Sequence, residues 1–183
     1  MADNDKPNTL DDLRALLDQA GGTDLTALLE QLDAGDLARV AEQITTPGEL
    51  GTLLELADGD DALIDRFLDK AGADPMLDRV FELMPTRFVS ERLATETGVV
   101  EWHIRTPEGE KVYHLSIAQG NAEAARGPAA NARTTLTMSA ADLLRLCAGT
   151  LNGVTAFMNG TLKLAGDMMF GAKLPAAFDT SAA

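Results

Sequence analysis

Between Ala156 and Met169 the chain reads Ala156-Phe157-Met158-Asn159-Gly160-Thr161-Leu162-Lys163-Leu164-Ala165-Gly166-Asp167-Met168-Met169, and its backbone pattern changes twice. A helical apolar face gives way to a short strand, and the strand to a methionine-rich helix. Gly160 and Gly166 stand where the backbone reverses, because glycine enters positive φ without a Cβ penalty. Leu162 and Leu164 share one face of the strand, and Asp167 holds the N-cap position ahead of the next apolar run. A strand held between two helices, with soft side chains on both, points to a mixed fold.

The partners of that strand are legible upstream. Val100, Trp102 and Ile104 alternate with Glu101, His103 and Arg105, then Thr106 to Lys111 forms a turn leading into Tyr113, Leu115 and Ile117. This predicts an antiparallel pair. Another turn at Gln119-Gly120-Asn121 precedes Ala122 to Arg126, and Thr134 to Met138 reads as a fourth strand with Leu136 and Met138 on one face. Ser139 caps a helix over Ala140 to Cys147, which Gly149 ends. A short helix over Val154 to Met158, the strand Thr161 to Leu164 and a last helix from Asp167 to Phe178, kinked at Pro175, complete the order. Ahead of the strands, Met76, Leu77, Val80, Phe81, Met84 and Phe88 follow helical spacing, and Arg87 to Ala94 continues or restarts that helix beyond Pro85. The expected class is α+β, with helices gathered on one face of a mainly antiparallel sheet.

The first 75 residues are different. They carry 14 Asp and 4 Glu against 5 Lys and Arg, so most of the net charge of −14 lies there. Units beginning Asp12-Leu13, Asp24-Leu25, Asp36-Leu37 and Glu49-Leu50 recur with leucine spacings of 12, 12 and 13 residues. Each places apolar residues at i, i+3 and i+4 behind an acid in the first turn, the pattern of a short amphipathic helix with dipole-matched charge. Gly21-Gly22, Gly35 and Pro47-Gly48 separate the units, and a fifth helix over Asp61 to Ala71 puts Leu63, Ile64, Phe67 and Leu68 on one side. Helices this short are marginal alone, so their leucines must bury against each other, the following domain or a second chain. The expected organisation is a disordered tail over 1–8, an acidic helical subdomain over 9–72 and a second domain over 76–180. The acids read first as solvating the outer faces of these helices, with docking of a protein partner or self-association through residues 9–72 as the alternative.

Several functions are disfavoured. Nucleic-acid binding needs clustered Lys and Arg, which a chain of this charge lacks. The N-terminus lacks the basic and apolar regions of a signal peptide, and no stretch approaches the ~18 apolar residues of a membrane span. The expectation is a soluble, cytoplasmic protein without stable membrane insertion. The single Cys147 sits in an apolar helical context and reads as a structural thiol. His103 and His114 lie out of phase with the core residues of their strands, and no third ligand stands at useful spacing for a metal. No glycine-rich phosphate loop is present, and no catalytic residue is nominated. Neither a metal nor another cofactor is expected.

Met84-Pro85, Trp102, Tyr113-His114-Leu115-Ser116-Ile117 with Gly120, Thr135 to Ser139 followed by Asp142-Leu143-Leu144, Gly149 and the Phe157 to Asp167 block occur in order. With these elements residues 76–180 resemble the sterol carrier protein 2 family. The resemblance implies a five-stranded sheet, helices over one face and an apolar tunnel for sterols, fatty acids or acyl-CoA. It makes lipid binding or transfer the leading expectation. The ligand-contacting set would be Val100, Trp102, Ile104, Leu115, Ile117 and Leu136 on the sheet, with Phe157, Met158, Met168, Met169, Phe170, Leu174 and Phe178 on the C-terminal helices. Methionine suits that role because it adapts its shape to varied apolar guests. Two alternatives stand beside it. One is a substrate-binding or catalytic component of an enzyme acting on a hydrophobic small molecule, in which Tyr113, Asp142 or Asp167 would point into the cavity. The other is a noncatalytic adaptor or cargo docking through the acidic helices.

Overall fold

The computed structural model describes residue 7 and residues 9–19, 25–57, 60–93 and 95–179. The tail expected over 1–8 lies outside the described residues except for Pro7. Five helices come first: α1 (Leu10–Gln19), α2 (Leu25–Gln31), α3 (Ala34–Glu42), α4 (Pro47–Leu56) and α5 (Asp61–Ala71). Their acids do more than meet solvent. Asp33 and Asp36 form a reciprocal capping box on α3, Thr46 and Glu49 form another on α4 with Pro47 in its first turn, and Asp60 accepts from the Ala62 amide at the start of α5. Each cap satisfies amides that the helix itself cannot, worth ~1 kcal/mol. Buried Leu13, Leu37, Val40, Ile64, Phe67 and Leu68 form the inner faces. Of the three destinations open to these faces, two are taken: α3 packs on α5 and on the next helix, while α4 packs on a helix that follows the sheet. The apolar core runs without a break from Leu10 to Ala177.

The next helix is α6 (Ala73–Leu83). Beyond it the expected helical continuation is replaced by two 3-10 turns, Met84–Arg87 and Ser90–Arg92. Pro85 is the physical reason, since it cannot donate to the preceding turn. The sheet contains β1 (Gly98–Thr106), β2 (Gly109–Ala118), β3 (Asn121–Arg126), β4 (Ala132–Ser139) and β5 (Lys163–Gly166), in the order β3-β2-β1-β4-β5. Three pairings are antiparallel and β1 with β4 is parallel. Register sets Trp102 opposite Tyr113 on one side and Leu136 on the other. Their side chains share a buried face with Val100, Ile104, Leu115, Ile117 and Met138.

Between β4 and β5 lie α7 (Ala140–Ala148) and α8 (Gly153–Met158), and α9 (Met168–Lys173) follows β5. Ser139 caps α7, and Gly149 ends it in the left-handed region at φ 77°. β5 begins two residues later than expected. The Leu162 amide and the Thr161 hydroxyl both bond the Ala156 carbonyl, which holds that pair on the end of α8 and delays the strand. α9 is shorter than expected, because Pro175 turns the chain into a 3-10 segment, Pro175–Ala177.

Candidate functional site

A cavity of about 330 Å³ lies against the buried sheet face. Trp102, Leu136 and Met138 supply its floor, and Met76, Val80, Leu83 and Met84 one wall. Leu143, Leu146 and Cys147 of α7 stand opposite, and Pro175, Ala176 and Phe178 border it from the C-terminal segment. The remaining wall comes from the acidic region: Ile44, Thr45, Thr46, Pro47 and Leu50. These residues occupy the α3–α4 connection, where the capping box of Thr46 and Glu49 fixes the chain's entry into α4. Nothing in the local pattern of residues 44–50 marks them as part of a site. Their place follows from packing α4 on α7.

Of the residues expected to contact a ligand, Trp102, Leu136 and Phe178 line the cavity. Val100, Ile104, Leu115, Ile117, Phe170 and Leu174 are buried in the adjoining core. Phe157, Met158, Met168 and Met169 face solvent, with Met158 76% and Met169 73% exposed. The physical reason on α9 is its cap. Asp167 accepts from the Phe170 amide at 3.0 Å, and the helix so started turns Phe170 inward and the two methionines out. Apolar identity revealed that these helices cover something, but not which side chains do so.

An aromatic cluster supports the floor. Phe81 stacks on Tyr113 with ring centroids 4.2 Å apart and meets Trp102 edge-on at 5.8 Å. The Tyr113 hydroxyl donates to Asp78 Oδ1 at 2.8 Å, and Arg126 Nε donates to the same oxygen at 2.7 Å. Burial alone would raise the Asp78 carboxyl, yet the bonds from Arg126 and Tyr113 outweigh it and hold the group below the usual carboxylate range. Burial, reinforced by Asp78, keeps the Tyr113 phenol protonated. Trp102 Nε1 is buried without an acceptor among the described residues.

The other polar groups have structural tasks. Asp142 accepts from the Ser139 hydroxyl at 2.9 Å and pairs with Arg145, while Asp167 pairs with Arg133 at 2.8 Å besides capping α9. Neither of these, nor Tyr113, lines the cavity. Burial pushes the Cys147 thiol up to about 12, so it is a neutral apolar wall group at neutral pH. On the opposite sheet face His103 lies between Glu101 and Glu110 at 2.6 and 2.7 Å, and His114 Nδ1 stands 2.9 Å from the Gly127 carbonyl oxygen. Among the described residues, no group of three His, Cys, Asp or Glu is placed to hold a metal ion. None of the described helices is long and apolar enough to cross a membrane.

Residues 77–179, more than half of the chain, match the family model described as the SCP-2 sterol transfer family. The chain belongs to that family. Membership marks this part of the SCP-2 family chain as a lipid-binding or lipid-transfer domain. Among solved structures, the crystal structure of Sterol Carrier Protein 2 Like 2 from Aedes aegypti is 22% identical, with a TM-score of 0.47, covering 58% of this chain and 100% of that one. Palmitated SCP2L2 from the same organism is 24% identical, with a TM-score of 0.45, over 53% of this chain and 88% of that one. The stereoselective inverting sec-alkylsulfatase Pisa1 from Pseudomonas sp. is 16% identical, with a TM-score of 0.50, over 94% of this chain but only 30% of the sulfatase. This likeness is one of fold, and its span takes in the N-terminal helices as well as the SCP-2 domain.

Proposed function

We propose that this SCP-2 family chain is a soluble lipid carrier that shelters an acyl or sterol-like guest in the cavity above Trp102 and Leu136. The observation that carries the reading is the largely apolar, partly open space bordered by β1, β4, α6, α7, the start of α4 and the C-terminal segment. A volume of about 330 Å³ lies within the range of small-molecule sites. Burying ten methylenes contributes roughly 8 kcal/mol gross at about 0.8 per methylene, before the losses of motion on binding. That is enough for useful affinity without a catalytic group. Met76, Met84 and Met138 provide adaptable walls.

The test is direct. Delipidated protein is titrated with fatty acids, acyl-CoA and sterols, while native mass spectrometry of freshly purified protein looks for a retained guest. Binding tighter than about 100 µM to one class is expected. Failure of all three classes to bind at that level would overturn the reading.

A further inference from the structure

The cavity lining, otherwise largely apolar, includes the charged side chains of Arg79, Arg87 and Asp179. Arg79 of α6 donates from Nε to the Ile44 carbonyl at 3.0 Å and from Nη1 to Glu82 at 2.9 Å. A guanidinium offers five N–H donors. Two are used in these bonds, so three are left without an acceptor among the described residues. The side chain is only 24% exposed and borders the cavity. Donors in that position, beside apolar space and shielded from much of the solvent, favour an anionic oxygen group over a hydrocarbon surface.

The chain's net charge of −14 disfavours anions at long range, so recognition there must be local. Arg79 meets that need because the Ile44 carbonyl fixes its orientation from outside the family-matched region, which begins at residue 77. Size adds a second limit. A space of about 330 Å³ stands at the small end of ligand sites, which suits one alkyl chain with a small head better than a bulkier guest.

We propose that Arg79 is the head-group clamp for a single-chain anionic amphiphile, an alkyl carboxylate or alkyl sulfate, whose tail lies against Trp102, Leu136, Met138 and Leu143. This rests on the carrier reading and narrows its ligand class. Ile44 takes part through its backbone, so the N-terminal helices share in the selection.

Isothermal titration of the full chain with decanoate, decyl sulfate, decan-1-ol and decyltrimethylammonium tests it. At least one of the two anions binds about tenfold tighter than the alcohol, as expected for a charge-assisted hydrogen bond, and the cation binds least. Arg79→Gln removes that advantage while leaving decan-1-ol affinity within about twofold, which also shows that the variant retains its cavity. The anion that loses affinity in the variant identifies the head. Equal binding of alcohol and anions by the unaltered protein, or anion affinities unchanged in the variant, would overturn the clamp and leave the carrier reading standing. If none of the four binds, the clamp falls, and the carrier reading is decided by the titration with fatty acids, acyl-CoA and sterols.

Discussion

Arg79 on α6 reaches the carbonyl of Ile44 on the α3–α4 connection, with 3.0 Å between Nε and oxygen. It thereby ties the acidic helices to the cavity that they help to enclose. The same junction contains the Arg145–Asp61 ion pair and the packing of α4 on α7. Removing residues 1–72 would therefore uncover α7 and open one cavity wall instead of releasing an independent module. The expected result for a 73–183 fragment is loss of a cooperative thermal transition by circular dichroism, with exposed apolar surface. A fragment melting cooperatively near the midpoint of the full chain would show that the two parts are separable.

Trp102 is the chain's single tryptophan, and it lies in the cavity floor with Phe81 against its edge. Tryptophan emission, excited selectively, therefore reports this site alone. Titration with a guest that fills the cavity is expected to change its intensity or emission maximum with saturation, matching the calorimetric affinity. Saturable binding with an unchanged Trp102 spectrum would place the guest elsewhere.

The sheet was legible because alternation has a strict physical meaning. Val100, Trp102 and Ile104 must share a face when the backbone is extended, and they do. The acid-led leucine units were legible for the same kind of reason, since an N-terminal acid and an apolar stripe specify a helix locally. The cavity was only partly legible. Ile44 and Leu50 reach it through contacts between parts of the chain more than thirty residues apart, such as Arg79 with Ile44, and no short-range pattern encodes those. Met168 and Met169 showed the opposite limit. Their composition suggested a guest-facing helix, whereas the Asp167 cap sets the rotation of α9 and leaves both in solvent.

His103 makes the stability pH-dependent in a defined window. Its bond to Glu110, opposed by burial and reinforced by Glu101, raises the imidazole above its ordinary value of 6.5. Protonated His103 is thus favoured in the folded state, and its contribution is fully present below the unfolded value and fades as pH rises through the raised folded one. Glu101 works the other way. The Ala129 amide and then His103 lower its carboxyl, giving stability that is present above 4.5 and lost as pH falls through the lowered value. Thermal unfolding of the native chain should lose under about 1 kcal/mol as pH rises from the unfolded histidine value through the folded one, because the pair is partly solvated. In His103→Gln that slope should flatten, and equal slopes in the two proteins would remove His103 as its source.

Gly160 precedes β5 and Gly166 ends it, and both adopt positive φ, 76° and 84°. Their surroundings separate them. A Cβ at Gly160 meets nothing within 4 Å, whereas one at Gly166 falls 2.6 Å from the Arg133 carbonyl oxygen. That oxygen also accepts from the Asp167 amide at 3.0 Å, so displacing it disturbs the entry into α9. Gly160→Ala should cost only the left-handed penalty, about 1–2 kcal/mol, or roughly 2–8 °C in melting temperature for a chain of this size. Gly166→Ala adds a backbone overlap that no side-chain rotation relieves, and its total cost should be about 3 kcal/mol or more. Calorimetric melting of the two variants checks the difference. Equal losses would mean that β5 shifts away from Arg133 at little cost, and that the close approach there does not hold the β5–α9 junction in place.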